Sequence, residues 1–353
     1  MKPNNILVVG NGFDLAHGLP TGYGDFINFI KKNLTVYKEN EPDDETMKMF
    51  LDIAKNNGFI QYFLQYTSVV PGWVDLERLI RDIIEEVECF IKNVASYKVN
   101  EYFIKDRFSA KLSQILWDFG IRYEEKKTRL LINKQYITED IYKIKKKYYN
   151  NVYGLNIREI KMVFREHLKG LICALQIYLK VYVPQACSEI LPKPQIKAIN
   201  PVYVISFNYT DTYKLYGIAS DDVFHVHGSL EKDNMVLGYD DDCPEELEFI
   251  YFKKYFQRIQ KLTGYINREK FDTTDEYGLT FSNAVIIHFY GHSMDKTDGD
   301  IIRELKRNSR GFVVYTYNQE DYEQKVINLI DVFGKEEATK MIQNGFIKFD
   351  ACQ

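Results

Sequence analysis

The segment that most constrains the fold is a short apolar run, residues 6–9, which ends in Gly10, Asn11 and Gly12. An uninterrupted apolar run of this length is typical of a buried strand in a parallel sheet. Two glycines directly after such a strand allow the backbone to turn sharply and to bring N–H groups close to a phosphate. The third glycine of the dinucleotide fingerprint is not at its expected place. The turn therefore predicts either a nucleotide site or a tight packing of strand against helix.

Beyond residue 194 the chain alternates between short β-rich runs and helical patterns. The β-rich runs are residues 202–207, 223–226, 235–237, 284–290 and 312–317. Helical patterns at residues 300–306 and 319–333 flank the last of these runs. Such alternation is typical of a mostly parallel sheet that helices cover on both faces. Because residues 6–9 have no partner strand nearby in the sequence, we expect them to join this C-terminal sheet.

The middle of the chain has a different pattern. Apolar residues recur at helical spacing over residues 74–91 and 160–179, and less regularly over residues 102–123 and 137–149. We therefore predict a Rossmann-like α/β domain formed by residues 1–36 and 194–353. A large α-helical insertion domain, residues 37–193, would follow the first βα unit.

The charge balance argues against a nucleic-acid or membrane partner. The chain of 353 residues carries 46 basic and 50 acidic side chains, a formal net charge of -4. Neither a leader segment nor an apolar stretch long enough to cross a bilayer is present, so we expect a cytoplasmic protein. Its five cysteines form no Cys-x-x-Cys pair and are expected to be reduced thiols. The basic run at residues 143–147 is interpreted as the solvated face of a helix.

Polar residues stand at the carboxyl ends of the C-terminal β-rich runs, where parallel α/β sheets bind their ligands. Asn208 could orient a ribose hydroxyl or a water, although an asparagine there also suits a turn or a helix cap. Gly291 opens a second glycine turn, which includes Ser293, and Asn318 follows the last run. Together with the first glycine turn, these residues point to one crevice.

Two histidines, His225 and His227, are separated by one residue. The first lies in the run at 223–226, and the second follows it directly. Strand alternation would place them on the same face, which suggests a metal site. No third carboxylate or cysteine stands at the spacing of a known zinc motif. His227 precedes Gly228 at the end of the run, and is the better candidate for an exposed general base.

The order of these motifs resembles that of the sirtuin-type NAD-binding fold. In that fold the glycine turn faces the cofactor phosphates, and an asparagine and a histidine, here Asn208 and His227, line the nicotinamide-ribose pocket. The later Gly-x-Ser and Asn, here at Gly291 and Asn318, would hold the adenosine side. Asp14 departs from the pattern, because sirtuins usually have a small hydroxyl residue there. No four-cysteine zinc module is present, so the resemblance does not imply protein deacylation.

A closer resemblance covers nearly the whole chain. The segments GNGFDLAHGLPTGYGDF at residues 10–26, SFNYT at 206–210, HVHGS at 225–229 and GHSMDKTD at 291–298 resemble the AbiH family of bacterial abortive-infection proteins. This resemblance implies an antiphage defence protein. The partners expected are a nucleotide ligand, a phage-derived trigger and a second copy of the chain, with no membrane partner.

From these two resemblances we expect the protein to bind NAD and to hydrolyse it to nicotinamide and ADP-ribose. The expected catalytic residues are His227 and Asn208. The residues expected to bind NAD are Gly10, Asn11, Gly12, Phe13, Asp14, Gly291, Ser293 and Asn318. Two alternatives stay open: a nucleotide-sensing module without catalysis, and a metal-dependent nuclease or phosphoesterase that uses His225 and His227 with carboxylates such as Asp14 and Asp211.

Overall fold

The computed structural model describes residues 4–37, 44–66, 73–99, 102–132, 135–187, 189–240, 248–264, 271–274, 280–281 and 285–352. Contacts between residues divide the chain into two compact units. The first, called the sheet unit, comprises Met1–Gly22, Tyr178–Asp242 and Lys253–Gln353. The second, called the insertion unit, comprises Tyr23–Ile177 and Cys243–Phe252.

The strands and helices alternate at the two ends of the chain. The strands are β1 Asn4–Val9, β2 Lys98–Val99, β3 Tyr102–Ile104, β4 Arg122–Ile132, β5 Gln135–Ile144, β6 Tyr149–Asn150, β7 Gly154–Leu155, β8 Tyr203–Ser206, β9 Val223–His225, β10 Thr273–Thr274, β11 Thr280–Phe281, β12 Val285–Tyr290, β13 Gly311–Thr316 and β14 Ile347–Ala351. The helices are α1 Asn11–Ala16, α2 Tyr23–Val36, α3 Glu45–Asn56, α4 Gly58–Tyr66, α5 Trp73–Tyr97, α6 Ala110–Asp118, α7 Ile157–Ile177, α8 Val183–Gln185, α9 Pro194–Ile199, α10 Lys254–Lys261, α11 Gly299–Arg307, α12 Gln319–Phe333 and α13 Lys335–Gln343.

The sheet unit is built on a six-stranded sheet in which every pairing is parallel, in the order β14-β13-β12-β1-β8-β9. Strand β1 lies between β8 and β12, with Ile6 opposite Tyr203 and Ile287. This confirms that the first apolar run joins the C-terminal sheet. It also confirms the α/β fold class, with a helical insertion after β1.

Both faces of the sheet are buried, which explains why its strands are apolar without alternation. Ile6 and Val8 point into one core cluster together with residues of α11, α12 and α13. Leu7 and Val9 point into a second cluster on the other face, which α9 covers. Each cluster therefore receives alternate residues of β1, and a polar residue on either face would lie in a core.

The insertion unit contains the long amphipathic helices that the sequence predicts. Helix α5 has 25 residues and α7 has 21, and both bury one apolar face. Within this unit Phe119 stacks on Phe164 with a centroid separation of 4.0 Å. Asn57, just after α3, donates from Nδ2 to the carbonyl of His167 at 2.6 Å.

The predicted helices at residues 102–123 and 137–149 are wrong in part or whole. Residues 102–104 form β3 and 110–118 form α6, while residues 135–144 form β5 in a four-stranded antiparallel sheet of order β2-β3-β5-β4. Ile137 and Ile141 are four apart, as in a helix, yet β-branched residues pair well across strands and β4 supplies the backbone partners. The basic run at 143–147 is therefore the end of β5 and a turn, not a helix face.

The predicted strand at residues 235–237 is also absent. Instead of pairing with a strand, Leu237 is held by the side chain of Gln257, which accepts from the Leu237 N–H at 3.1 Å and donates to its carbonyl at 2.7 Å. The N–H of Val236 donates to the carbonyl of His227 at 2.7 Å. One amide side chain thus satisfies backbone groups that a neighbouring strand would otherwise satisfy. None of the helices in the described ranges is both long and apolar enough to cross a membrane.

Candidate functional site

The carboxyl ends of β1, β8, β12 and β13 lie at one edge of the sheet because all four strands run in the same direction. Numbered along the chain, the six strands read 3-2-1-4-5-6 from β9 to β14. The order reverses between β1 and β12. The strand that follows β1 in the sheet's chain order, β8, lies on one side of this pair, and the strand that follows β12, β13, lies on the other side. In open α/β sheets, ligands bind outside the strand ends at this reversal. The candidate site is therefore the set of turns after these strands.

Two glycine turns pack directly against each other at this point. The N–H of Gly12 donates to the carbonyl of Gly291 at 2.8 Å, and the N–H of Phe13 donates to that of Gly10 at 2.8 Å. A Cβ at Gly12 would lie 2.8 Å from Gly291 Cα, and one at Gly291 would lie 2.0 Å from the nitrogen of Phe13. The glycines therefore allow two backbones to touch. In this structure the N–H of Gly12 is used within the protein, so a phosphate at this turn would have to find other donors.

Two other residues of the first turn also contact protein groups. Asn11 accepts a hydrogen bond at Oδ1 from the hydroxyl of Thr21 at 2.7 Å. Phe13 is fully buried in the core cluster on the α9 side of the sheet, with its ring 6.0 Å from that of Tyr290. Tyr317, after β13, donates its hydroxyl to the carbonyl of Gly12 at 2.6 Å. The first turn is thus fixed by the ends of β12 and β13.

Asp14 is a buried carboxyl next to this turn. It is 1% exposed, and Thr210 donates its hydroxyl to Asp14 Oδ2 at 2.5 Å. The second oxygen, Oδ1, is buried and has no hydrogen-bond partner among the described residues. Burial raises the pKa of Asp14 to about 6, and the hydrogen bond from the Thr210 hydroxyl opposes this rise only in part. The described surroundings therefore leave one acceptor atom of this carboxyl unsatisfied.

Asn208 joins the end of β8 to the end of β1. Its Nδ2 donates to the carbonyl of Gly10 at 2.9 Å, and its backbone N–H donates to the hydroxyl of Ser206 at 3.2 Å. The side chain is buried, with the residue 7% exposed. The structure thus brings together Asn208, Gly10 and Asp14, as the sequence predicts, and gives Asn208 a role in fixing the first glycine turn.

The two histidines contact different partners. His225 ends β9, with Nδ1 3.1 Å from the carbonyl of Asn208 and Nε2 3.8 Å from Asp211 Oδ1. His227 lies beyond the strand end, with Nε2 3.1 Å from Asp298 Oδ1. Because the strand stops at His225, alternation does not extend to His227. The prediction of an exposed base is wrong: His227 is 6% exposed and packs edge-on against Phe207.

Asp298 is the centre of a buried cluster of charged and titratable groups. Lys254 Nζ lies 3.1 Å from Asp298 Oδ1, and His292 Nε2 lies 3.8 Å from Oδ2. Burial alone would raise the pKa of Asp298, but Lys254, His227 and His292 hold it well below its usual value. Burial lowers the pKa of His227 and lowers that of His292 to about 4, so both imidazoles are neutral near pH 7.

The charged cluster continues along α10. Arg258 stands one turn after Lys254, and its Nη2 lies 3.1 Å from Asp240 Oδ2 and 2.5 Å from Asp300 Oδ2. Burial raises the pKa of Asp240 to about 6, although Arg258 opposes this. Sequence reasoning missed Lys254, Arg258 and Asp298. The available signal was the pair of cations four residues apart on one helix face.

The remaining predicted residues are used in turns and caps. Asn318 accepts at Oδ1 from the N–H of Asp321 at 2.8 Å and caps α12. Ser293 accepts at Oγ from the N–H of Asp295 at 3.4 Å, and its carbonyl accepts from Asn328. Their side chains therefore bond to the segments that follow them and not to the first glycine turn. In the residues that the structure describes, no group of three or more His, Cys, Asp or Glu could hold a metal ion.

Comparison with known proteins identifies one family. The model of the family described as bacteriophage abortive infection AbiH matches residues 6–318. This span runs from β1 to the cap of α12 and includes both glycine turns, Asn208, His227 and Asp298. Neither a curated protein nor a solved structure matches the chain. Since the family match covers most of its length, the chain belongs to the AbiH family of bacteriophage abortive-infection proteins.

Proposed function

We propose that this abortive-infection protein binds NAD at the carboxyl edge of its sheet and hydrolyses it to nicotinamide and ADP-ribose. The observation that carries the proposal is the strand order 3-2-1-4-5-6, which is the order of the dinucleotide-binding α/β folds. It also supports the resemblance to the sirtuin-type fold. Loss of NAD in an infected cell would stop its metabolism, in keeping with an abortive-infection role.

A strand order alone does not determine chemistry, so side chains at the edge have to supply the contacts. Asp14 is the strongest candidate, because it directly follows the first glycine turn and its Oδ1 is a buried acceptor without a donor among the described residues. A ribose hydroxyl is a donor of the right chemistry, and NAD offers four of them on its two riboses. Because Gly12 donates to Gly291, we assign the first turn to a ribose and not to the pyrophosphate.

The proposed base is His227. A neutral imidazole can accept a proton, and burial keeps His227 neutral near pH 7 by lowering its pKa. In the reaction the bond between nicotinamide and ribose breaks, its electron pair leaves with nicotinamide, and water attacks the ribose carbon. His227 takes the proton of that water. A well-placed base contributes roughly 10²–10⁴-fold to such a rate.

Asn208 takes a positioning role in this proposal. Its Nδ2 is bound to the carbonyl of Gly10 at 2.9 Å, so it fixes the turn that precedes Asp14. Replacing Asn208 by alanine would free that turn, and we expect weaker NAD binding together with lower turnover.

A second function is favoured by a specific observation. His227 is only 6% exposed, and the N–H groups of Gly12 and Phe13 are occupied by backbone carbonyls. An edge closed in this way suits nucleotide binding without turnover, with the signal passed to a partner. The two functions differ in one measurable quantity, the release of nicotinamide.

The test is incubation of the purified protein with NAD, alone and with lysate of phage-infected cells, with products identified by mass spectrometry. Calorimetry measures NAD binding in parallel. We expect nicotinamide and ADP-ribose from the wild type, loss of turnover with retained binding in His227→Ala, and loss of binding in Asp14→Ala.

Lys214→Ala is the control, because Lys214 lies shortly after Thr210 in the chain but its Nζ pairs with Asp211 Oδ2 at 2.8 Å and its side chain is 49% exposed. It should bind NAD as the wild type does. Binding without nicotinamide release would select the sensing function, and absence of NAD binding to the wild type would refute both.

A further inference from the structure

Two neutral imidazoles and a lysine surround one carboxylate in the sheet unit, and this arrangement has a consequence for His227. The carboxylate is Asp298, with Lys254 Nζ and His227 Nε2 each 3.1 Å from Oδ1. These groups come from the segments that follow β9 and β12, from α10 and from the turn before α11, and all are buried.

The proton on His292 can be located from its backbone contact. The N–H of Met294 donates to His292 Nδ1 at 2.9 Å, so Nδ1 carries the lone pair. In the neutral ring the proton is then on Nε2, which is the nitrogen 3.8 Å from Asp298 Oδ2. One oxygen of the carboxylate thus faces an N–H of His292.

The proton on His227 can be located from the charge of Asp298. An ionised carboxylate has only lone pairs, so a ring nitrogen 3.1 Å from it is stable there only when it bears a proton. A second proton on the ring is disfavoured, because Lys254 already balances the charge of Asp298 and Arg258 adds another positive charge nearby. Phe207, which packs edge-on against His227, is uncharged, and its ring centroid lies 5.3 Å from that of His227.

We propose that Asp298 is a positioning residue for His227: it holds the neutral imidazole with its proton on Nε2, and so leaves Nδ1 as the basic nitrogen. His227 Nε2 and Asp298 Oδ1 are 3.1 Å apart, although the N–H direction is not aligned on that oxygen. Such contacts often become aligned only when substrate binds. This inference rests on the proposed function for its catalytic meaning, but the tautomer itself is independent of any activity.

The first test is nitrogen-15 NMR of the histidine side chains in the wild-type protein, which has six histidines. Loss of one signal set in His227→Gln assigns the ring. Between pH 6 and pH 8 we expect His227 to be neutral with the proton on Nε2, as its neighbours Asp298, Lys254, Arg258 and His292 dictate. A proton on Nδ1, or an imidazolium at pH 7, overturns the inference.

The second test removes the carboxylate without leaving a buried cation. The variant Asp298→Asn with Lys254→Met loses one charge of each sign, and circular dichroism checks that it folds. We expect the tautomer preference of His227 to fall to a mixture. With NAD as substrate, kcat should fall at least about 10-fold, within the range that a positioned base supplies, while KM is unchanged.

Asp300→Asn is the matched control, because Asp300 lies two residues after Asp298 and contacts Arg258. Its His227 spectrum and its kcat should equal those of the wild type. An unchanged tautomer in the double variant refutes the role of Asp298. Absence of NAD turnover in every protein, with the expected tautomer in the wild type, would refute the proposed function and leave the position of the proton established.

Discussion

Asp14 and Asp298 are both buried at the carboxyl edge of one sheet, yet they are stabilised in opposite ways. Asp14 is 1% exposed, its hydrogen-bond partners among the described residues are uncharged, and its pKa is raised to about 6 by burial. Asp298 is 7% exposed, and Lys254 with two imidazoles lowers its pKa well below the usual value. Two buried carboxyl groups therefore have opposite pKa shifts, and the presence of a nearby cation decides the direction.

The two carboxyl groups also differ in how many of their oxygens have a polar partner within the chain. Both oxygens of Asp298 face positive or N–H groups that the chain itself provides. In the part of the chain that the structure describes, no donor reaches Oδ1 of Asp14, and hydrogen bonds from hydroxyl groups alone do not compensate for the hydration that a buried charge loses. Groups with such perturbed pKa values cluster at functional sites. Asp14 is therefore the position at which a ligand would add most to the structure.

The largest expected effect is that of Lys254→Met. It leaves Asp298 as a buried charge without its cation, a change that typically costs about 3–5 kcal/mol in the free energy of unfolding. Urea denaturation at pH 8 measures this loss. The loss should shrink toward pH 5, because without Lys254 the pKa of His227 rises and a protonated imidazole replaces the lysine charge.

The sign of that pH dependence follows from linkage. A histidine whose pKa is higher in the folded than in the unfolded state stabilises the fold below its unfolded pKa, about 6.5, and this contribution disappears as the pH rises through the folded value. Addition of Asp298→Asn to the variant should restore most of the stability at pH 8. A loss below about 1 kcal/mol in the single variant would mean that Lys254 does not balance Asp298.

Asp14→Asn should have the opposite effect. The pKa of Asp14 rises from 3.8 to about 6 on folding, so ionisation costs up to about 3 kcal/mol of stability above pH 6 and nothing below pH 4. The asparagine variant has no such cost. We expect it to be more stable than the wild type by up to about 3 kcal/mol at pH 8, and equally or less stable at pH 4.

The measurement for Asp14 is the free energy of unfolding at a series of pH values from 4 to 8. Wild-type stability should carry a component that falls as the pH rises through about 4 to 6, and Asp14→Asn should lack that component. The difference between the two proteins cancels the other titrating groups. A constant difference across the series would show that Asp14 titrates at its usual pKa.

Gly12→Ala is expected to have a smaller effect, and it tests the turn that carries Asp14. The new Cβ would lie 2.8 Å from Gly291 Cα, so two backbones must move apart, which typically costs about 1–3 kcal/mol. Thermal unfolding measures it. Gly24→Ala in α2 is the control: nothing lies within 4 Å, and alanine favours the helix by roughly 0.5–1 kcal/mol. Equal melting temperatures for wild type and Gly12→Ala would indicate that glycine is needed here for ligand binding and not for the packing of the two turns.

The sequence predicted the parts of the fold whose pattern is local. Strands β1, β8, β12 and β13 are buried on both faces and so appear as apolar runs, and α5 and α7 have a regular helical period. The sequence did not predict the segments whose structure depends on a partner that is distant in the chain. The apolar spacing of residues 137–149 fits a helix, but pairing with β4 makes residues 135–144 a strand, and the side chain of Gln257 replaces a strand partner for Leu237.

At the candidate site, too, contacts between distant segments could not be predicted from the sequence. The need for glycine at Gly12 and Gly291 was visible in the sequence, but its physical reason, contact between the two turns, is a tertiary contact. The Asp298 cluster draws on separate segments near residues 227, 254, 292 and 298, and no local spacing joins them. The roles proposed for Asp14, Asn208 and His227 remain predictions that the binding and turnover measurements test.

The smallest expected effect is that of Asp300→Asn, at the exposed end of the charged cluster that contains Asp298. The Asp300 side chain is 49% exposed, and Arg258, its partner, also contacts Asp240 at 3.1 Å. A half-exposed pair of this kind contributes about 0–1 kcal/mol, because water and salt screen it and Arg258 keeps its second carboxylate. Urea denaturation in low and high salt measures the effect, which should be small in both and smaller in high salt. A loss as large as that of Lys254→Met would show that the cluster acts as one unit out to its surface, and that burial of Asp298 is not what sets its energy apart.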